Sequence, residues 1–207
     1  MKIAIINYQA SNLYSISKAV KDLGADPYIC DDPKNLKHAN KIILPGVGSF
    51  AEAMNNIIKT GFFEELSKSV LLDKKPILGI CLGMQLLSKS STEDKFTKGL
   101  GFIDGNVVHL KTLGCQLRLP HIGWNSIKLI KKNNLFFNIP NNSDFYFANS
   151  FVLTEADPGD IIAKTHYDVD IVSVIKKKNI IGTQFHPEKS SSYGKLFIKN
   201  FLNFKYD

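Results

Sequence analysis

The chain is poor in cysteine. Three residues in 207, Cys30, Cys81 and Cys115, form an odd set with no C-x-x-C spacing. That excludes a disulfide framework and a zinc site as organising features, and leaves room for one reactive thiol in a reducing compartment. Long apolar runs are missing too: none approaches the ~20 residues that cross a bilayer. The opening residues Met1-Lys2-Ile3-Ala4-Ile5-Ile6 pass into a polar segment at Asn7 without the longer apolar core of a secretory signal, so a cytoplasmic location is expected. Internal repeats, low-complexity tracts and linker-like stretches are also lacking. The net charge of +7 comes from lysines in small groups such as Lys74–Lys75, Lys131–Lys132 and Lys176–Lys178. Without interleaved aromatics these read as solvated surface, with an acidic or phosphorylated partner as the other reading. Neither nucleic acid nor membrane is expected as a partner, and nothing calls for a metal or cofactor.

What is present is ordinary globular composition, 44% hydrophobic and 22% charged, in a length that suits one domain over residues 1–207. Lys2–Ile6, Pro27–Cys30, Lys41–Leu44 and Pro76–Ile80 are short apolar runs that read as buried strands. Between them lie helical patterns. Leu13, Ile16, Val20 and Leu23 recur at helical spacing, with Asn12 as cap and Gly24 as stop. Ser49 caps a second pattern through Phe50, Ala53, Met54 and Ile57, and Gly61 separates it from a third over Phe62–Leu72. Strands alternating with helices predict an α/β fold: a mostly parallel open sheet flanked by helices, with functional loops at the carboxyl ends of the strands. After Ser88 the texture changes. Asn106–Lys111, Gln116–Leu119, Asn125–Ile130 and Phe145–Phe147 read as short strands of a smaller antiparallel region. Phe151–Leu153, Ile161–Lys164, Asp170–Lys176 and Asn179–Gln184 continue the strand character, with a hairpin turn at Lys177–Asn179, and Ser191–Phe204 closes as an amphipathic helix.

Three stretches carry the chemistry. Gly79-Ile-Cys81-Leu-Gly83 follows a strand and opens a helix, the pattern of a nucleophile elbow with cysteine at its apex. An isolated cysteine is more often a small buried hydrophobe. The flanking glycines and the adjacent helix N-terminus, which favours a thiolate, weigh toward a nucleophile. Gln184-Phe-His186-Pro-Glu188-Lys189-Ser190 ends an apolar strand. His186 and Glu188 stand two apart, so an extended segment places both on one side, as a base and its orienting acceptor. Pro45-Gly46-Val47-Gly48 is either a plain strand-ending turn or an oxyanion hole whose backbone N–H groups turn inward. Cys30 and Cys115 lack such settings, as do His38, His109, His121 and His166, of which His121 is the most open case.

These elements, in this order, resemble the triad-type (class I) glutamine amidotransferases over the whole chain. The further motifs Pro45–Phe50, Pro120-His-Ile-Gly-Trp-Asn125, Tyr146-Phe147 and Gln184–Ser190 are similar to the glutaminase subunits of imidazole glycerol phosphate synthases. The resemblance implies a glutaminase with Cys81 as nucleophile, His186 as base and Glu188 as its orienter. It implies L-glutamine held by Gln85, Glu93 and Ser150 beside an oxyanion loop at Gly46, Val47 and Gly48. It implies ammonia passing to a (β/α)₈-barrel cyclase subunit in a heterodimer of histidine biosynthesis, with Asn12, Trp124 and Lys189 at or near that interface. Core packing is the other reading of Trp124. Two departures stand out: Ala10-Ser11-Asn12 where the family has glycine before the asparagine, and Asn149-Ser150-Phe151 where it has a His-Ser/Thr-Tyr run. They leave open a paralogous partner, an amidotransferase of surface-polysaccharide sugars. A non-catalytic subunit that keeps the fold is the remaining alternative.

Overall fold

Runs of β-branched residues build the first strands. β1 (Lys2–Ile6) lies between β2 (Asp26–Cys30) and β3 (Lys41–Leu44), parallel to both. The computed structural model describes residues 1–9 and 12–206. The expectation for Ala10 and Ser11 lies outside the described residues. α1 (Leu13–Asp22) buries Ile16 and Val20 and ends as foreseen: Gly24 takes φ +82° and its N–H reaches Lys21 O. α2 (Phe50–Lys59) and α3 (Phe62–Ser67), the latter running on as a wider π-helical turn over Lys68–Leu72, lead to β4 (Ile77–Ile80). α4 (Leu82–Leu86) follows the elbow.

The remaining strands are β5 (Ser90–Ser91), β6 (Thr97–Lys98), β7 (Asn106–His109), β8 (His121–Ser126), β9 (Lys128–Leu129), β10 (Asp144–Asn149), β11 (Phe151–Thr154), β12 (Ile161–Tyr167), β13 (Val169–Lys177) and β14 (Ile180–Thr183). α5 (Ser191–Asn203) closes the chain. The main sheet runs β2-β1-β3-β4-β14-β13-β12-β9. It is parallel from β2 to β14 and antiparallel from β14 to β9. Two small sheets, β10-β8 and β11-β7-β5-β6, sit apart from it. The fold is therefore the expected α/β arrangement, with β12–β14 extending the main sheet and not the small antiparallel region.

Each face of the sheet has its own apolar layer. Phe50, Met54, Ile57, Phe62 and Leu66 of α2 and α3 cover one. Ile16 and Val20 of α1 and Phe197 and Phe201 of α5 cover the other, together with Phe145, Phe147 and Phe185. α5 approaches the end of β14 closely because Gly194 has no side chain; a Cβ there would lie 2.0 Å from Pro187 O.

Several local expectations are corrected. Gln116–Leu119 is not a strand: Gln116 N donates to Asp168 Oδ2 at 2.6 Å and Arg118 O accepts from Tyr167 Oη at 2.7 Å, so side chains take its backbone groups. The strand expected over Asn106–Lys111 stops at His109 and turns into a 3-10 segment at Leu110–Leu113. The run expected over Asn125–Ile130 divides between β8 and β9, which belong to different sheets. Neither proposed cap works through its own side chain. Asn12 sits at φ 72° and makes no capping bond. Ser49 Oγ donates to Asp94 at 3.1 Å, while the Phe50 N–H at the start of α2 is satisfied by Glu93 Oε2 at 2.9 Å.

Candidate active site

β4 delivers Cys81 in a conformation few non-glycine residues adopt, φ 54° and ψ −110°. Such backbone costs about 1–3 kcal/mol and persists only where its surroundings dictate it. They do so here through close approach. A Cβ on Gly83 would lie 1.8 Å from Leu44 O, and one on Gly79 would lie 2.6 Å from Gly83 O. The two glycines flanking Cys81 are steric requirements of the elbow. Cys81 N donates to Thr183 O at 2.7 Å, so the β4–β14 ladder runs up to the thiol itself. The thiol is nearly buried, with Ala148 O at 3.9 Å from the sulfur.

His186 and Glu188 arrive on the neighbouring strand. Just beyond β14 the backbone turns through a 3-10 segment, Pro187–Lys189. Ser190 Oγ donates to His186 O at 2.6 Å and accepts from Tyr146 N at 2.9 Å; His186 N donates to Tyr146 O at 2.8 Å. Those three bonds fix the turn against β10. His186 Nδ1 lies 2.9 Å from Glu188 Oε1. Both side chains are out of solvent. Burial acts to lower the His186 pKa, but the hydrogen bonds to Cys81 and Glu188, and their charges, outweigh it and raise it to about 10. The protonated imidazole is thereby favoured beside the Glu188 carboxylate.

Glu188 Oε1 has a second donor that sequence reasoning did not connect to it: Asn12 Nδ2, at 2.7 Å across 176 residues. Asn12 was expected as a helix cap and near a partner; its side chain makes no capping bond and braces the orienting carboxylate. Gln184 is the other unanticipated neighbour. It is fully buried, with Nε2 3.7 Å from Cys81 Sγ and Oε1 3.0 Å from Gln85 Nε2. A glutamine at the end of the apolar run Ile180-Ile181-Gly182-Thr183 was the available signal.

Beside the sulfur opens a cleft of about 240 Å³ whose lining includes Val47, Gly48, Cys81, Gln85, Glu93, Asn149, Ser150 and Phe151. All of the residues expected to hold a substrate line it except Gly46, which is packed beneath: a Cβ there would lie 2.5 Å from Tyr8 Oη and 3.1 Å from Gly83 N. Tyr8 Oη in turn donates to Pro45 O at 2.8 Å, and burial raises its pKa. Gly48 takes φ +103°. Burial also raises the Glu93 pKa, opposed by its bond from Phe50 N. Asn149 donates to Phe151 O at 3.2 Å. A larger cleft of about 670 Å³ lies at the far end of α5, bounded by Asn134, Lys176, Phe204 and Lys205. It is lined by neither cysteine nor histidine, whereas the smaller one holds the Cys81 thiol.

Trp124 is 54% exposed, which excludes core packing. Its ring meets Tyr146 edge-on at 6.1 Å, and Lys189 Nζ lies 5.8 Å from the Tyr146 centroid. His121 resolves the other way: it is buried between Phe147 and Tyr167, with centroids at 4.9 and 3.9 Å, and burial lowers its pKa to about 4. It is a neutral packing residue. Cys30 and Cys115 are buried, and burial pushes the Cys30 thiol up to about 11.

The family model described as "Glutamine amidotransferase class-I" matches residues 4–204. An imidazole glycerol phosphate synthase subunit HisH 1 from Campylobacter jejuni (strain RM1221) is 46% identical over 200 residues, covering 97% of this chain and 98% of its own. The subunit HisH from Methanocaldococcus jannaschii is also 46% identical over 200 residues, with the same coverage of each chain. A solved structure titled "Crystal structure of glutamine amidotransferase" superposes with a TM-score of 0.76 at 16% identity, over 97% of each chain, and shows the likeness of fold.

Proposed function

The chain belongs to the class-I glutamine amidotransferase family, and from that premise we propose that it is the glutaminase subunit of an imidazole glycerol phosphate synthase. It hydrolyses L-glutamine to glutamate and ammonia and hands the ammonia to a barrel-shaped cyclase subunit. Cys81 lining the cleft at the end of β4, with the His186–Glu188 pair following the adjacent β14, carries this reading. Relatives similar over nearly the full chain are named for that synthase, and a surface-polysaccharide acceptor is named in neither.

In the reaction, Cys81 Sγ adds to the side-chain amide carbon of glutamine. Negative charge gathers on the carbonyl oxygen, which faces the N–H groups of the Gly46–Gly48 loop. The carbon–nitrogen bond then breaks, and the His186 imidazolium gives its proton to the nitrogen, which leaves as ammonia. A γ-glutamyl thioester remains on Cys81. Water adds to it with neutral His186 taking its proton, the carbon–sulfur bond breaks, and glutamate leaves as the sulfur recovers its electron pair. Glu188 keeps His186 Nδ1 protonated and aimed throughout. Gln85, Glu93 and Ser150 hold the amino-acid end of the substrate. The exposed Trp124 packs edge-on against the half-buried Tyr146, with Lys189 beside it, and forms an aromatic patch suited to a partner face, a setting where aromatic anchors concentrate binding energy.

The test pairs the protein with the cyclase of its own organism and follows glutamine-dependent formation of imidazole glycerol phosphate. Stimulated turnover, abolished by Cys81→Ala, is expected. Absence of both complex and turnover overturns the assignment.

A further inference from the structure

Gln184 is fully buried at the end of β14, where a polar side chain must find partners. Its amide lies in a chain that runs from Phe151 O through Gln85 and Gln184 to the Cys81 sulfur. The chain has only one consistent orientation. Phe151 O is a backbone carbonyl and only accepts, so Gln85 presents its NH₂ there, at 2.8 Å. The same NH₂ donates to Gln184, which therefore turns its oxygen toward Gln85 and its own NH₂ toward sulfur. Side-chain amides are ordinarily open to a flip. Here a carbonyl that cannot flip fixes both.

We propose that Gln184 is a further catalytic residue of this site: its Nε2–H donates to Cys81 Sγ, holds the sulfur in place and favours its charged form. The proposal rests on Cys81 being the glutaminase nucleophile. His186 alone cannot do this work through the cycle, because it gives its proton to the leaving nitrogen and is neutral while the thioester exists. Gln184 has no proton to lose and keeps its donor in place. When deacylation returns the electron pair to sulfur, the donor is already waiting.

A hydrogen bond to a charged group shifts its equilibrium by about tenfold or more. Removing it lowers the thiolate fraction by that factor on the acid side, while the freed thiolate becomes intrinsically about threefold more nucleophilic. Two opposed effects give a crossing pair of profiles. Cys81 alkylation by iodoacetamide, followed by peptide mapping from pH 5 to 10, is compared in the wild-type chain and Gln184→Met. The variant is expected to react about threefold more slowly on the acid limb and about threefold faster on the alkaline plateau. Superposable profiles, or a uniform loss at all pH, overturn the proposal, since a merely structural role predicts no crossing. Should Gln184→Met fail to fold, wild-type protein labelled with ¹⁵N-glutamine decides. The Gln184 side-chain amide signals move when Cys81 is alkylated if the contact exists, and static signals overturn it. A wild-type Cys81 that a glutamine-analogue alkylator leaves unlabelled defeats the glutaminase reading and this proposal together. A reactive Cys81 indifferent to Gln184 defeats only the latter.

Discussion

Replacing Asn12 tests how much of the triad's geometry depends on a bond from outside it. Its Nδ2 reaches Glu188 Oε1 at 2.7 Å, the oxygen that also holds His186 Nδ1 at 2.9 Å. Alanine is a poor probe, because Asn12 has φ 72°, a left-handed conformation that asparagine adopts more readily than alanine. Asn12→Gly removes the donor in a backbone conformation that glycine adopts freely, so a fall in kcat reports the lost hydrogen bond. Hydrogen bonds to charged groups contribute about 1.5–3 kcal/mol, and a carboxylate that can swing away releases His186 from its aim. If most of that energy serves orientation, kcat falls between about tenfold and a hundredfold. KM for glutamine stays within about twofold of wild type, since Asn12 does not line the cleft. Asn12→Asp sets a second carboxylate against the first and falls further, because like charges in a buried site repel. Basal glutamine hydrolysis by the isolated subunit is the assay, which keeps any effect on partner binding out of the readout. A glycine variant with kcat within twofold of wild type would show that Glu188 holds its orientation without Asn12 and would refute the reasoning.

Gly83→Ala places a Cβ 1.8 Å from Leu44 O, a backbone atom that cannot move alone, so a destabilisation of about 3 kcal/mol or more is expected in urea unfolding; a loss under 1 kcal/mol would mean that the elbow yields freely. The His186 pKa, raised to about 10 from an ordinary 6.5, makes its contribution to stability complete below pH ~6.5 and lost as pH rises through 10. Wild type should therefore lose more stability than His186→Gln between pH 7 and 10.5, and parallel denaturation curves would contradict the ion pair. Trp124→Ala should weaken the complex with the cyclase by about thirtyfold, read by calorimetry, without lowering the unfolding temperature, because the ring is mostly exposed. Equal affinity would move the partner face elsewhere.

The strands β1 to β4 and the elbow were legible because their signals are local: β-branched runs, a stop at Gly24, glycines two positions either side of Cys81. His186 and Glu188 were legible as a pair two residues apart just past a strand, although a 3-10 turn at Pro187–Lys189, and not the extended backbone expected, brings them together. Apart from the early end of β7 at His109, the misses below are contacts between distant residues. Asn12 and Ser49 have the composition of caps, but Asn12 is drawn to Glu188 and the Ser49 hydroxyl to Asp94, 45 residues on. Gln184 looked like the polar end of a strand, and its value depends on Gln85 and on a carbonyl in β11. Gln116–Leu119 has strand-like residues whose backbone partners are side chains near residue 168. Sequence spacing reports which groups share an element; it carries no distance between elements.

The adjacency of β4 and β14 also sets an order in time. Cys81 leaves the ribosome early, whereas Gln184, whose strand completes the elbow, lies 103 residues later. At 5–20 residues per second the thiol exists for about 5–20 s before its base has been synthesised. The nascent chain therefore carries an unarmed cysteine, and glutamine is safe from it until the last strand of the sheet slides in beside the fourth.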